Sequence, residues 1–266
     1  MSLFEDNSKE SLISLSNTVH EVGYKSLLLV YDTYLDNAVV NVANTINMDH
    51  KFKYIIALRT YSVSPEYLAQ MYETFEKIAP GRVTFNIIPG NIKIQETSLK
   101  DVVFIEDKIK TPSQRDEYTL EWLKKYNKLS MLKNLPPLML SGSSIEFQKA
   151  CIEYGFTNII KMDHFLNQKN NGLLENKNQI VSVAILNTDV INEGNKHLNK
   201  ILGTHDTTLL SGNSDDIIQK LLDLEKMGVS DVMIHKLPVE YRHADIHYIV
   251  KDFPKLDMNL SKEMIY

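Results

Sequence analysis

"FKYIIALRTYSVSPEYLAQMYETFEKIAPGRVTFNIIP", residues 52–89, sets two apolar runs around a stretch with helical spacing. "FKYIIALR" (52–59) and "RVTFNIIP" (82–89) are apolar at successive positions, which suits parallel strands covered by helices on both faces. Between them, Ser64-Pro65 places a capping oxygen before a proline at the first helical position and predicts a helix over 65–78, with Gly81 as terminator. A helix, a glycine, one or two residues and then a strand is the short αβ loop of an α/β unit.

The same phrase recurs along the chain. Further strands are expected at "SLLLVY" (26–31), "PLMLSG" (137–142), "TNIIKM" (157–162), "IVSVAILN" (180–187) and "SDVMIHKL" (230–237). Helices are expected at 9–22, 36–47, 113–132, 144–154, 192–202, 214–227 and 240–251, with Gly23, Gly155 and Gly228 each following one. Seven strands plus a weak one at Ser2–Glu5 predict an eight-stranded (β/α)8 barrel with a truncated first strand. A doubly wound open sheet is the alternative, because periodicity does not show closure. The polar tract "NQKNNGLLENKNQ" (167–179) reads as an exposed loop rather than a linker, so residues 1–266 form one expected domain.

Composition narrows the function classes. A net charge of −5, with lysines spread among acids, gives no basic field for nucleic acid. No apolar run approaches membrane-spanning length, and the start, Met-Ser-Leu-Phe-Glu-Asp-Asn, lacks the basic and apolar regions of a secretion signal, so a cytoplasmic protein is expected. The single cysteine, Cys151, lies in an apolar helical stretch and reads as a buried side chain.

Candidate site residues cluster at strand ends. In "PPLMLSGSSIEFQKACIEYG" (136–155) the strand gives way to Gly142-Ser143-Ser144 and a helix. That turn fits a capping box, with Ser143 as cap and Glu146 reaching back, and it equally fits a phosphate cradle, where amide hydrogens and hydroxyls meet the positive end of the helix dipole. Asn86 sits inside an apolar strand, where a buried amide needs partners. Arg59 and Thr60 end a strand where side chains face a barrel mouth, and Arg59 suits an anionic substrate or a salt bridge. His235 ends the last strand and is a candidate proton carrier. His243 and His247 have metal-ligand spacing on a helix, but no third ligand is indicated and a solvated face is favoured. Asp32 and Tyr34 follow a strand and read as a capped loop or a substrate contact.

Three stretches resemble the bacterial-luciferase-like flavin monooxygenases. "ALRTYSVSPEYLAQMYETFEKIAPGRVTFNIIPG" is similar to that family's third strand, helix and "GR"-led fourth strand; "PPLMLSGSSIEFQKACIEYG" resembles its fifth strand and following helix; "LLSGNSDDIIQKLLDLEKMGVSDVMIHKLP" resembles its closing segment. The matches span residues 20–162 and 205–258, and the nearest branch is the alkanesulfonate monooxygenases. The resemblance implies a (β/α)8 barrel, reduced FMN as cosubstrate (a deazaflavin in some relatives), oxygen as oxidant, a flavin reductase as partner and a homodimer. It places phosphate on Gly142, Ser143 and Ser144, the flavin ring on Asn86 and the cofactor tail past Gly90; Arg59 and His235, from their strand-end positions, are the candidates for substrate charge and proton transfer.

Departures from the family pattern bear on function. The family's phosphate-holding tyrosine is matched by Asp116 within "PSQRDEYTLEW" (112–122), so either Tyr118 or Arg115 takes its place or FMN binding is weakened. The sulfonate enzymes' Arg, His and Cys are missing from "VAILNTD" (183–189) and "DTYLDN" (32–37), and their long insertion is reduced. The reading is therefore an FMN-dependent monooxygenase acting on a small organic substrate. The alternatives are a non-catalytic flavin-binding barrel and a barrel enzyme that grips a phosphorylated metabolite.

Overall fold

The structure, a computed structural model, describes residues 13, 16–17, 24–29, 37–47, 52–89, 111–172, 179–187, 209–229, 231–235 and 261–265. Its strands are β1 (Ser26–Leu29), β2 (Lys53–Arg59), β3 (Val83–Ile88), β4 (Met139–Ser141), β5 (Thr157–Lys161), β6 (Gln179–Asn187), β7 (Leu209–Gly212), β8 (Asp231–His235) and β9 (Ser261–Ile265). The helices are α1 (Ala38–Thr45), α2 (Pro65–Ile78), α3 (Pro112–Lys133), α4 (Ile145–Tyr154), α5 (Met162–Asn170) and α6 (Ser214–Lys226).

Local chemistry sets most helix ends. Ser64 caps α2 by accepting from the Tyr67 amide, with Pro65 behind it as expected. Thr111 and Gln114 form a capping box on α3, and Asn213 and Asp216 form one on α6. Helix α3 ends on Asn134 at φ 51°, in the left-handed region that a non-glycine residue seldom adopts.

Every strand pairing is parallel. The ladder runs β5–β4–β3–β2–β1–β9–β8–β6, and β5 also pairs with β6, so the sequence of hydrogen-bonded neighbours returns to its start. Strand β7 pairs with the far half of β6. Helices follow β1 to β5 and β7, giving an α/β fold with a parallel sheet. Two apolar clusters divide along the strands. Leu28, Ile55, Ala57, Ile159, Ile180 and Met233 gather on the inner face with Ile88 and Met139. Their alternating neighbours, among them Leu27, Ile56, Phe85, Leu140, Ile160 and Val232, join the larger core that also holds the buried helix residues.

Three expectations change. The slot beside β1 expected for a truncated first strand is filled by β9, which pairs with β1 and β8; Ser2–Glu5 lies outside the described residues. The tract from 167 begins within a helix, since α5 extends through Asn170 by burying Met162 and Phe165 three residues apart. Strand β7 is an addition to the expected set. The expected helices at 192–202 and 240–251 lie outside the described residues, as do Gly23, Asp32, Tyr34, His243 and His247.

Candidate functional site

Because all strands are parallel, their C-terminal ends share one rim, where Arg59, Ile88, Ser141, Lys161, Asn187, Gly212 and His235 are the last strand residues. Register puts Asn86 level with Ala57 and Met139, and Ser141 level with Ile159, so both polar side chains belong to the inner face.

Asn86 is 1% exposed, and its partner is the neighbouring strand: Nδ2 donates to Ser141 Oγ at 2.9 Å, and that hydroxyl donates back to Oδ1 at 3.1 Å. The structure thus realises the structural option for Asn86, while an amide with two donor hydrogens retains capacity for one more contact. Arg59 is half-buried and donates from Nη1 to Tyr61 Oη at 2.6 Å. The guanidinium carbon also lies over the Tyr61 ring, 5.8 Å from its centre, at the outer edge of cation–π range. The turn carrying this pair is pinned to α3 twice, by Thr60 Oγ1 and Thr119 Oγ1 at 3.3 Å and by Trp122 Nε1 donating to the Val63 carbonyl at 2.8 Å.

At the β4–α4 turn the cap is one residue later than expected. Ser144 Oγ accepts from the Phe147 amide at 3.3 Å, and Ser143 with Glu146 forms no capping box. Gly142 has an internal reason to be glycine, because an added Cβ would lie 2.3 Å from the Phe147 ring. The turn is held from the next βα unit. Asn158 Nδ2 donates to the Leu140 and Gly142 carbonyls at 3.0 Å each, the Gly142 amide donates to the Ile159 carbonyl at 3.2 Å, and Gln168 Nε2 donates to the Ser143 carbonyl at 3.3 Å.

Across from this turn stands the start of α3. Burial raises the Asp116 carboxyl above the usual carboxylate range, Arg115 opposes the rise, and Glu146 of α4 adds to it, so the two helix starts feel each other's charge. Tyr118 is not at that junction. It is half-buried against the main core, where burial raises its phenol, and the charges acting on it are Lys125 and Glu121 farther along α3. Of the two, Arg115 is the residue whose charge acts on the Asp116 carboxyl at this junction. His235 ends β8, with its side chain outside what the structure describes, and Gly90 lies outside the described residues. Cys151 is buried, and burial pushes its thiol up to about 12.

Sequence reasoning missed Tyr61, Ser141, Asn158 and Gln168. Asn158 carried the signal that identified Asn86, a polar residue within an apolar strand; Gln168, on a helix surface, carried none. Among the described residues no group of His, Cys, Asp and Glu could hold a metal, and no helix is long and apolar enough to cross a membrane.

The donors at the β4–α4 turn fit a phosphate group. They comprise the Ser143 hydroxyl and the amides at the start of α4, with the Asp116 and Glu146 carboxylates acting against them.

No protein-family model matches the sequence. Solved structures do resemble it. The EDTA monooxygenase EmoA from Chelativorans sp. BNC1 shares 11% identity over 96% of this chain and 89% of its own, with a TM-score of 0.62. MsnO8, in its apo form, shares 12% identity over 92% of this chain and 93% of its own at 0.62. The coenzyme F420-dependent tetrahydromethanopterin reductase from Methanopyrus kandleri shares 10% identity over 92% and 93%, at 0.61. Likeness at this identity concerns architecture, and the chain has the fold of these proteins.

Proposed function

We propose that the chain is a luciferase-like flavin-dependent monooxygenase with a complete (β/α)8 barrel, taking reduced FMN and oxygen to a small organic substrate. The observation that carries this reading is the β4–α4 turn: at the C-terminal rim of a parallel sheet, it offers hydroxyl and amide donors at the start of a ten-residue helix. The fold shared with a named monooxygenase supports it. The fold shared with an F420-dependent reductase supports a deazaflavin as the alternative cofactor.

A bound reduced flavin supplies two electrons to oxygen, one oxygen atom entering the substrate and the other leaving as water. In this reading Ser143, the turn amides and Arg115 hold the phosphate, and the Asn86–Ser141 pair presents an amide edge to the flavin ring. Arg59, held by Tyr61, reads substrate charge, and His235 carries a proton. A flavin reductase delivers the cofactor to a cytoplasmic homodimer. The reduced insertions favour a substrate other than a sulfonate.

Fluorescence titration with reduced and oxidised FMN tests the reading on the native chain and on Ser143→Ala/Ser144→Ala. The double variant is expected to bind at least about tenfold more weakly, the loss of roughly one charge-assisted hydrogen bond. Equal affinity removes the site assignment. Oxygen-dependent product formation with a reductase present then separates an oxygenase from a flavin-binding protein without turnover.

A further inference from the structure

Lys161, the last residue of β5, is exposed at the C-terminal rim. Its neighbours fix its face. Ile159 belongs to the inner apolar cluster and Ile160 to the larger core, so strand alternation returns Lys161 to the inner face, just as Ala57 and Leu58 return Arg59 there on β2. Height follows from register. From Lys161 the paired residues lead through Ser182, Met233, Glu263 and Ser26 to Lys53 of β2. From Ile159 they lead the other way to Ser141, which follows the Leu140–Ile87 pair and so lies level with Ile88, the partner of Arg59. Rows of hydrogen bonds slope across tilted strands, and this slope, shared evenly round the ring, sets Lys161 within about one residue of Arg59 in height. Two cationic side chains thus stand on the inner face at the rim, on strands separated by β3 and β4.

Local chemistry does not call for a lysine here. Lys161 occupies the N-cap position of α5 and supplies no capping hydrogen bond, whereas Asn37, Ser64, Thr111, Ser144 and Asn213 each accept from the first turn of their helices. A positive charge at that position also opposes the helix dipole. Pairing does not account for it either. Among the described residues its ammonium makes no ion pair or hydrogen bond, and Asp163, the nearest acid in sequence, gives Oδ1 to the His164 amide at 2.8 Å. No aspartate or glutamate ends any of the described strands, so the strand ends carry cations without an acid among them.

We propose that Lys161 acts with Arg59 to select an organic substrate that carries a carboxylate. The inference rests on the ring of strands being the barrel of the monooxygenase reading, and it adds the charge class of the substrate. A carboxylate has two acceptor oxygens, enough to meet a guanidinium and an ammonium at once. Water at the rim screens an exposed ammonium, so Lys161 contributes discrimination by charge more than affinity.

The test follows the thermal midpoint of the full chain, with and without oxidised FMN, as benzoate, butyrate and succinate are titrated against their neutral amides. In the wild type at least one acid is expected to bind about tenfold or more tightly than its amide. Lys161→Gln, at an exposed position that leaves the core intact, should weaken that acid about threefold to fivefold while changing the amide and FMN less than about twofold. Lys161→Arg should keep most of the preference. Lys53→Gln, at the opposite end of β2, removes the same charge away from the rim and should leave the preference unchanged. Acids that bind no more tightly than their amides overturn the proposal. So does an unchanged preference in Lys161→Gln, or an equal loss in Lys53→Gln. Failure of FMN to bind the wild type sinks the monooxygenase reading instead, a distinct outcome because the acid preference is also read on the flavin-free chain.

Discussion

Asp116 shows how one side chain sets a pH dependence at the candidate site. Burial raises its carboxyl, Arg115 pulls it down and Glu146 pushes it up again. A raised carboxyl means that the folded state binds the proton more tightly than the unfolded state does, so the ionised form weakens the fold above the folded-state value. That penalty fades as pH falls through this value toward the unfolded one. Asp116→Asn is therefore expected to stabilise the protein slightly at neutral pH, with the gain shrinking on acidification, and to tighten FMN binding by removing a charge of the wrong sign. Urea unfolding across a pH series checks the first statement; a gain that grows toward acid would reverse the argument. Other single residues show where the sequence stops. Asn86 was legible as a buried amide in an apolar run, but its partner is 55 positions away in sequence, and no local pattern names Ser141.

At the scale of elements, Arg82 joins three pieces of the chain. Its Nε and Nη2 donate to the Phe52 carbonyl at 2.9 and 2.8 Å, and Nη1 donates to the Ile46 carbonyl at 2.6 Å. Thus the residue before β3 fastens the end of α1 and the entry to β2 at the end of the sheet opposite the rim. The Gly-Arg pair that contributed to the family resemblance is a structural clamp here. Arg82→Met is expected to cost about 2–3 kcal/mol in urea denaturation, and Arg82→Lys to recover less than half of it, because an ammonium lacks the planar fork. Helix α2 was legible at both ends because Ser64-Pro65 and Gly81 mark them with specific backbone chemistry. Helix α5 was not: Lys161 supplies no capping oxygen, and its asparagine-rich end has the composition of a loop. Tertiary burial of Met162 and Phe165 decides it.

For the whole molecule, the decisive join is between residues far apart in sequence. Strand β9 pairs Met264 with Leu27 on one side and with Ile234 on the other. Proline at 264 would remove a ladder hydrogen bond from a strand with neighbours on both sides, where proline is not accommodated. Met264→Pro is expected to cost at least about 2 kcal/mol, a fall of about 4–8 °C in the thermal midpoint. An unchanged midpoint would show that β9 contributes nothing to the sheet. The alternation of strand and helix was readable along the sequence because each unit carries its own period and punctuation. Which segment lies beside β1 was not, because periodicity describes one strand at a time and says nothing about its neighbours.

That join also orders events in time. During synthesis, β1 emerges more than two hundred residues before the segment that completes its hydrogen bonding, so a nascent chain carries an open seam flanked by two aggregation-prone edges until then. A chain truncated before Ser261 is therefore expected to leave β1 without its second partner.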